Sequence, residues 1–198
     1  MKTIVLSVML CSASVSLRAQ GTVNFANDDR PAHLVTNFCT LQPVVAGTTF
    51  MAALYFAPDG TLDESQFQQL GPSTGFVFPG IFSGGTRTAP VTPIGAPGLF
   101  QVKVWETAFG STYEEALAAP PQNGRIALLG KSTILRVDTA DPLGTPQPSP
   151  LLPGLQGIYV GTPEACVPEP STIVLSLLGP ACGLILRRAK VASLQAKR

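Results

Sequence analysis

The sequence predicts a mainly β protein: a single antiparallel, β-sandwich-like domain with a short helix, set between an N-terminal signal helix and a C-terminal single transmembrane helix. Three observations predict it. The middle of the chain is rich in Thr, Val, Phe, Gly and Pro, which suit pleated, half-buried strands better than helices. Apolar residues there alternate, or form short runs bounded by Pro and Gly, instead of recurring at helical spacing. Each end of the chain carries an uncharged apolar run of its own.

The N-terminal run comes first. Lys2, the apolar stretch Ile4 to Leu10 and the Arg18-Ala19-Gln20 junction read as a secretory signal peptide over 1–19, cut between Ala19 and Gln20. Leu17 is bulkier than the third position before a cut prefers. Leu10 ahead of Cys11 is also bulkier than an acyl-transfer signal wants, which argues against a lipoprotein.

The domain, placed over 20–140, opens with Gly21 to Asn27, where Val23 and Phe25 alternate as in a strand. Thr48 to Phe56 is the strongest apolar run and ends at Pro58-Asp59-Gly60, a turn in which Pro presets φ and Gly supplies positive φ. Phe76 to Phe82 gives short strands broken by Pro79-Gly80. Leu99 to Thr107 sets Phe100, Val102 and Val104 on one face and Gln101, Lys103 and Trp105 on the other, predicting a half-buried strand. Ser111 with Glu114 forms a capping box that opens a helix from Thr112 to Ala119, stopped by Pro120-Pro121. Arg125 to Leu129 and Thr133 to Val137 read as closing strands.

Five prolines between Asp141 and Pro153 predict a semi-rigid extended spacer. The whole of 141–166 is therefore assigned to a stalk, with one possible last strand at Gly157 to Val160.

The tail, 167–198, has three parts: a motif over 167–171, a span over 171–186 and a basic end over 187–198. No charged residue lies between Ser171 and Leu186, so a helix there satisfies its own backbone in lipid. Ile173 to Leu186 is short, about 21 Å against roughly 30 Å of hydrocarbon. Arg187, Arg188 and Lys190 can snorkel to cover the difference, and their position puts the C-terminus in the cytoplasm. Pro168 and Pro170 keep Val167 to Ser171 extended and accessible.

Val167-Pro168-Glu169-Pro170, the apolar helix and the Arg-rich end together resemble the PEP-CTERM sorting signal of Gram-negative bacteria. That resemblance implies a partner: exosortase, a membrane-embedded cysteine transpeptidase to which cutting near the motif and release to the cell surface are ascribed. Pro180 and Cys182 inside the helix, and the extension to Arg198, depart from the pattern. An ordinary single-span anchor meets the same hydropathy and charge bias. The domain in turn is similar to exported PEP-CTERM proteins of environmental bacteria that begin GTVNFAN. Those share the Val-x-Val-Trp strand and the Thr-Tyr-Glu-Glu-Ala helix, here Val102 to Trp105 and Thr112 to Ala116, and the likeness carries no assigned activity.

Charge excludes one class of partner. The chain's formal +1 conceals an exported part, Gln20 to Cys166, with six bases against 11 acids, a net charge of −5. Nothing there supplies the basic patch that nucleic acid requires.

Candidate chemistry is sparse, and no cofactor is implied. Within Gly124 to Ser132, five mostly bulky and apolar residues separate Gly124 from Gly130 where a phosphate loop has four, and the stretch reads as strand and turn. His33 is the only histidine and reads as an exposed loop residue, without the partners of a triad or a metal site. Asp28-Asp29 and Asp59 with Asp63-Glu64 lack the alternation of a calcium loop and read as solvated turn acids. Glu106 with Glu114 or Glu115 offers a carboxylate pair of the glycosidase kind, whose separation sequence cannot set. Trp105, Tyr113 and Tyr55, if exposed, would give a sugar-stacking platform; core packing is the commoner use.

Cys11 leaves with the signal and Cys182 lies in the apolar run, so Cys39 and Cys166 remain for the oxidising compartment. Their spacing has no framework signature, and geometry decides whether they bond. The function expected is a surface or extracellular-matrix protein, structural or adhesive, sorted through its tail and not an enzyme. A carbohydrate-binding module that engages extracellular polysaccharide is the second reading, a secreted hydrolase the third.

Overall fold

In the computed structural model, residues 20–141, 152 and 154–166 are described. The signal segment with Ala19, and the tail with Val167, Pro168, Glu169 and Pro170, lie outside them. Among the described residues are ten strands and one α-helix: β1 (Gln20–Ala26), β2 (Val35–Asn37), β3 (Gly47–Pro58), β4 (Gln68–Gln69), β5 (Thr74–Phe78), β6 (Ile81–Pro93), β7 (Pro97–Glu106), α1 (Tyr113–Ala118), β8 (Leu129–Lys131), β9 (Leu135–Asp138) and β10 (Ile158–Val160). The class is mainly β with an antiparallel sheet and one short helix, as the composition predicts.

β3 and β7 form the spine. They pair antiparallel without a break from Phe50 opposite Glu106 to Pro58 opposite Gly98. Alternation along both strands divides their side chains between two apolar clusters. Phe50, Ala52, Leu54 and Phe56 of β3, with Phe100, Val102 and Val104 of β7, enter the larger cluster. There they meet Val23 and Phe25 of β1, Phe82 of β6, and Leu135 and Val137 of β9. Phe56 and Phe100, directly opposite in register, stack as a tilted pair 5.4 Å apart. The reverse faces carry Ala53, Tyr55, Ala57 and Trp105, covered by Phe67, Phe109 and α1 through Tyr113 and Ala116. The half-buried strand expected at Leu99 to Thr107 is thus buried on both sides, because α1 covers the face that alternation assigned to solvent.

The eight-stranded sheet runs β1-β6-β5-β3-β7-β8, with β4 beside β3 and β9 beside β7. Its first strand returns to its last. Thr22 N–H donates to Ala140 O and Ala140 N–H to Thr22 O, each at 2.8 Å, just past the end of β9. The path β9-β7-β3-β5-β6-β1 therefore closes on itself through one bridge, which removes an open edge. Gly21 permits it, since a Cβ there would strike the Thr139 side chain.

A second, two-stranded sheet pairs β10 with β2 in parallel, Ile158 opposite Val35 and Val160 opposite Asn37. β10 also leans on β8: Gly161 N–H donates to Leu129 O at 2.9 Å. Gly130 allows this approach, because a Cβ there would lie 2.5 Å from Tyr159 O. Leu152, Leu155, Ile158 and Val160 are all buried in the larger cluster. The end of the segment read as a stalk thus belongs to the domain, because its apolar side chains enter the core. Cys39 and Cys166 are joined as a disulfide, with Cα atoms 5.1 Å apart across 127 residues of sequence. On the chain-entropy account a loop that long contributes about 4–5 kcal/mol.

Other boundaries shift for local reasons. α1 is capped by Thr112, whose side chain accepts from Glu115 N–H, one residue after the expected Ser111. Arg125 forms a tight turn with Gln122, so the strand expected at Arg125 to Leu129 starts only at Leu129. The last antiparallel strand begins at Leu135, two residues later than the Thr133 expected.

Truncation of Leu155 to Ala tests where the domain ends. It should lower the unfolding free energy by about 2–5 kcal/mol, the range for a buried leucine, in urea titrations followed by Trp105 fluorescence. A residue of a solvated stalk would give no change.

Candidate functional site

Two places on the domain concentrate side-chain chemistry. On the covered face, Lys103 of β7 lies between two phenol rings, its Nζ 3.9 Å from the Tyr55 ring centre and 5.1 Å from that of Tyr113. The same ammonium is 3.3 Å from Glu114 Oε1, while Tyr55 Oη–H donates to Glu114 Oε2 at 2.8 Å. β3 and β7 supply Tyr55 and Lys103 from adjoining strands, and the Thr112 cap aims α1 so that Tyr113 and Glu114 close over them. Trp105 is anchored by its indole N–H, which donates to Gly110 O at 3.2 Å.

Burial together with the Glu114 carboxylate raises the Tyr55 phenol well above its usual range. Burial pushes the Glu114 carboxyl up as well, but hydrogen bonds from Tyr55 and Lys103 outweigh it and hold the pKa below the usual value. At neutral pH the array is a protonated phenol, a carboxylate and an ammonium capped by two rings. Its hydrogen bonds and cation–π contacts clamp α1 onto the sheet.

Most of the other acids are likewise engaged. Glu106, the shared member of the carboxylate pairs considered, is buried and accepts from Arg125 at 3.0 Å. Lys131 holds Glu64 at 2.7 Å and lowers its pKa, and Arg136 does the same for Asp59 at 2.8 Å. Asp63 caps a short turn by accepting from Ser65, and Glu115 accepts from Ser111. Glu106, Glu114 and Glu115 thus serve separate partners: Arg125, Tyr55 with Lys103, and Ser111. His33, read as exposed, is largely covered: its Nδ1 lies 2.8 Å from Asp28 Oδ1, and Asp28 also receives Arg30 Nε at 2.6 Å. Among the described residues no three His, Cys, Asp or Glu side chains converge as metal ligands. Trp105, Tyr55 and Tyr113 are buried, so the sugar platform considered for them does not exist on this face. A shallow open depression nearby is lined by Thr48, Met51, Phe109 and Ser111 and holds no titratable group.

The second place is where the chain leaves the domain. Asn37 Oδ1 accepts from the N–H groups of Cys39 and Thr40, at 2.8 and 3.2 Å, and shapes a turn that closes with Leu41 N–H on Asn37 O. Phe38 N–H donates to Val160 O at 2.9 Å, and the Phe38 and Tyr159 rings meet edge to face at 6.3 Å. The Cys39–Cys166 bond ties that turn to the last described residue, one position before Val167. Sequence reasoning passed over Lys103, Phe38 and Tyr159. The signal for the last two is that neither 34–50 nor 155–163 contains a charged residue.

Among the described residues no helix is long and apolar enough to cross a membrane. Comparison with protein-family models, with curated proteins and with solved structures gives no match.

Tyr55→Phe should cost about 1 kcal/mol at pH 7, the net worth of its hydrogen bond. Because the folded-state phenol pKa is raised, its stabilisation is complete below an unfolded pKa of about 10 and is lost as pH rises through the folded value. Thermal melts from pH 9 to about 11 should therefore fall less steeply in the variant than in the wild type. Arg125→Ala, which leaves buried Glu106 without a partner, should cost about 1–3 kcal/mol. Lys131→Ala, breaking a more exposed pair, should cost about 0–1 kcal/mol in the same urea titrations.

Proposed function

We propose that this chain is an exported cell-surface or extracellular-matrix protein, structural or adhesive, delivered and processed through a PEP-type sorting tail by an exosortase-type transpeptidase. The observation that carries the reading is the Cys39–Cys166 disulfide immediately ahead of Val167-Pro168-Glu169-Pro170. A bond of this kind persists in oxidising compartments, and here it fastens the end of the domain next to the segment that a processing enzyme must reach. The closed strand path and two-sided core support a self-contained module suited to life outside the cell.

In this reading residues 1–19 direct export and are removed before Gln20. The apolar run 171–186 holds the protein in the inner membrane in transit, with the basic end 187–198 in the cytoplasm. Cutting near the motif then frees the domain. The paired state of the acids and the burial of Trp105, Tyr55 and Tyr113 support a scaffold in preference to a hydrolase or a sugar-binding module.

Glu169→Ala separates recognition from insertion. It leaves the hydrophobic run intact, so membrane insertion should persist, while intact-mass analysis of protein from the native cell should show the tail retained. Wild-type protein recovered from the cell surface with Leu186 still attached would reduce the tail to a plain anchor.

A further inference from the structure

We propose that the uncharged face around the chain exit, carried by Phe38, Leu41 and Tyr159, is a lipid-contact surface that rests on the bilayer while the tail is anchored. The inference rests on the reading of 171–186 as a membrane segment. It adds a contact made by the folded domain itself.

Phe38, Leu41 and Tyr159 are 39, 69 and 58% exposed. Scattered apolar residues are normal on a surface, but these three are grouped. Phe38 and Leu41 belong to one turn, and the Tyr159 ring lies against Phe38. No Asp, Glu, Lys or Arg occurs in 34–50 or in 155–163, in a domain otherwise laced with ion pairs, and Glu164 is the single charge between Asp141 and Cys166. A surface this small falls far short of the ~1,000 Å² that a stable protein partner needs. Aromatic side chains with one polar tip are, however, the residues favoured at the headgroup level of a membrane.

The length of the tether brings the two together. Six residues, 167–172, separate Cys166 from the apolar run at Ile173, and fully extended they span about 20 Å. The disulfide fixes the start of that tether to the turn that carries Phe38, with 5.1 Å between Cα atoms. The exit face is therefore held within about 20 Å of the hydrocarbon edge, and part of that distance is the headgroup layer, about 5–7 Å thick. Its effective concentration at the surface is that of a short-linked second site, so a weak contact suffices.

The test uses the full chain reconstituted in phosphatidylcholine vesicles, with and without bromine on the acyl chains as a short-range quencher of tryptophan. Native Trp105 is fully buried and serves as the internal reference, Tyr159→Trp reports the exit face, and Leu62→Trp reports a fully exposed site past the far end of β3. In each variant the signal read is the emission added to that of Trp105, and flotation measures anchoring independently. The expected result is co-flotation of all proteins, with the added emission of Tyr159→Trp lowered about twofold or more by brominated lipid, as for an interfacial ring, and that of Leu62→Trp unchanged. Co-flotation with no quenching in Tyr159→Trp would overturn the lipid contact and leave the anchor standing. Absence of flotation would remove the anchor and this inference together. A blue-shifted but unquenched emission from Tyr159→Trp would assign the face to a second copy of the chain and overturn the lipid contact.

Discussion

The structure depends on one pair of strands that has no solvent face. β3 and β7 are aligned over nearly their full lengths, and each turn of the pleat places an apolar side chain into one of two clusters. Most other elements can be described by which side of that pair they cover. β1, β6, β9 and the 152–160 segment enclose the larger cluster, whereas Phe67, Phe109 and α1 close the smaller one. A two-sided spine explains why a chain with so few charged residues keeps so many of them in pairs. Once both faces are covered, a polar group left between layers needs a partner, and Lys103 and Glu106 each have one.

That requirement also shapes the functional reading. Glu114 stands where an acid catalyst could be sought, yet its oxygens receive Tyr55 and Lys103 and its work is to hold α1 down. Asp28 fixes the entry to β2 by receiving Arg30 and His33. Acids committed to internal partners in this way make a rigid module.

Much of the fold was legible because local signals and tertiary outcome agreed. Val23 and Phe25 alternate and are buried in β1, and Thr48 to Phe56 is the centre of β3. The Pro58-Asp59-Gly60 turn closes with Thr61 N–H on Pro58 O. Misses occurred where burial came from elsewhere in the chain. Gln101, Lys103 and Trp105 read as one polar-leaning face until a six-residue helix covers them. Val35 to Asn37 is too short for any period to show, and Leu152 and Leu155 were masked by the prolines around them. Of the candidate sites, the acids and aromatics could be named from sequence, but their pairing could not, since it joins residues 59 and 77 positions apart.

The stitches that finish the domain join its two ends: Thr22 with Ala140, β2 with β10, and Cys39 with Cys166. Such pairings carry a large loop-closure cost and form slowly compared with neighbouring hairpins. A chain threaded amino-terminus first through a narrow pore makes the first only after residue 140 has come through, the second after residue 160 and the last after residue 166. Until residue 160 is through, β2 lacks its parallel partner. On the proposed export route, completion of the fold is thereby coupled to the end of translocation, and the domain stays threadable for as long as the pore requires.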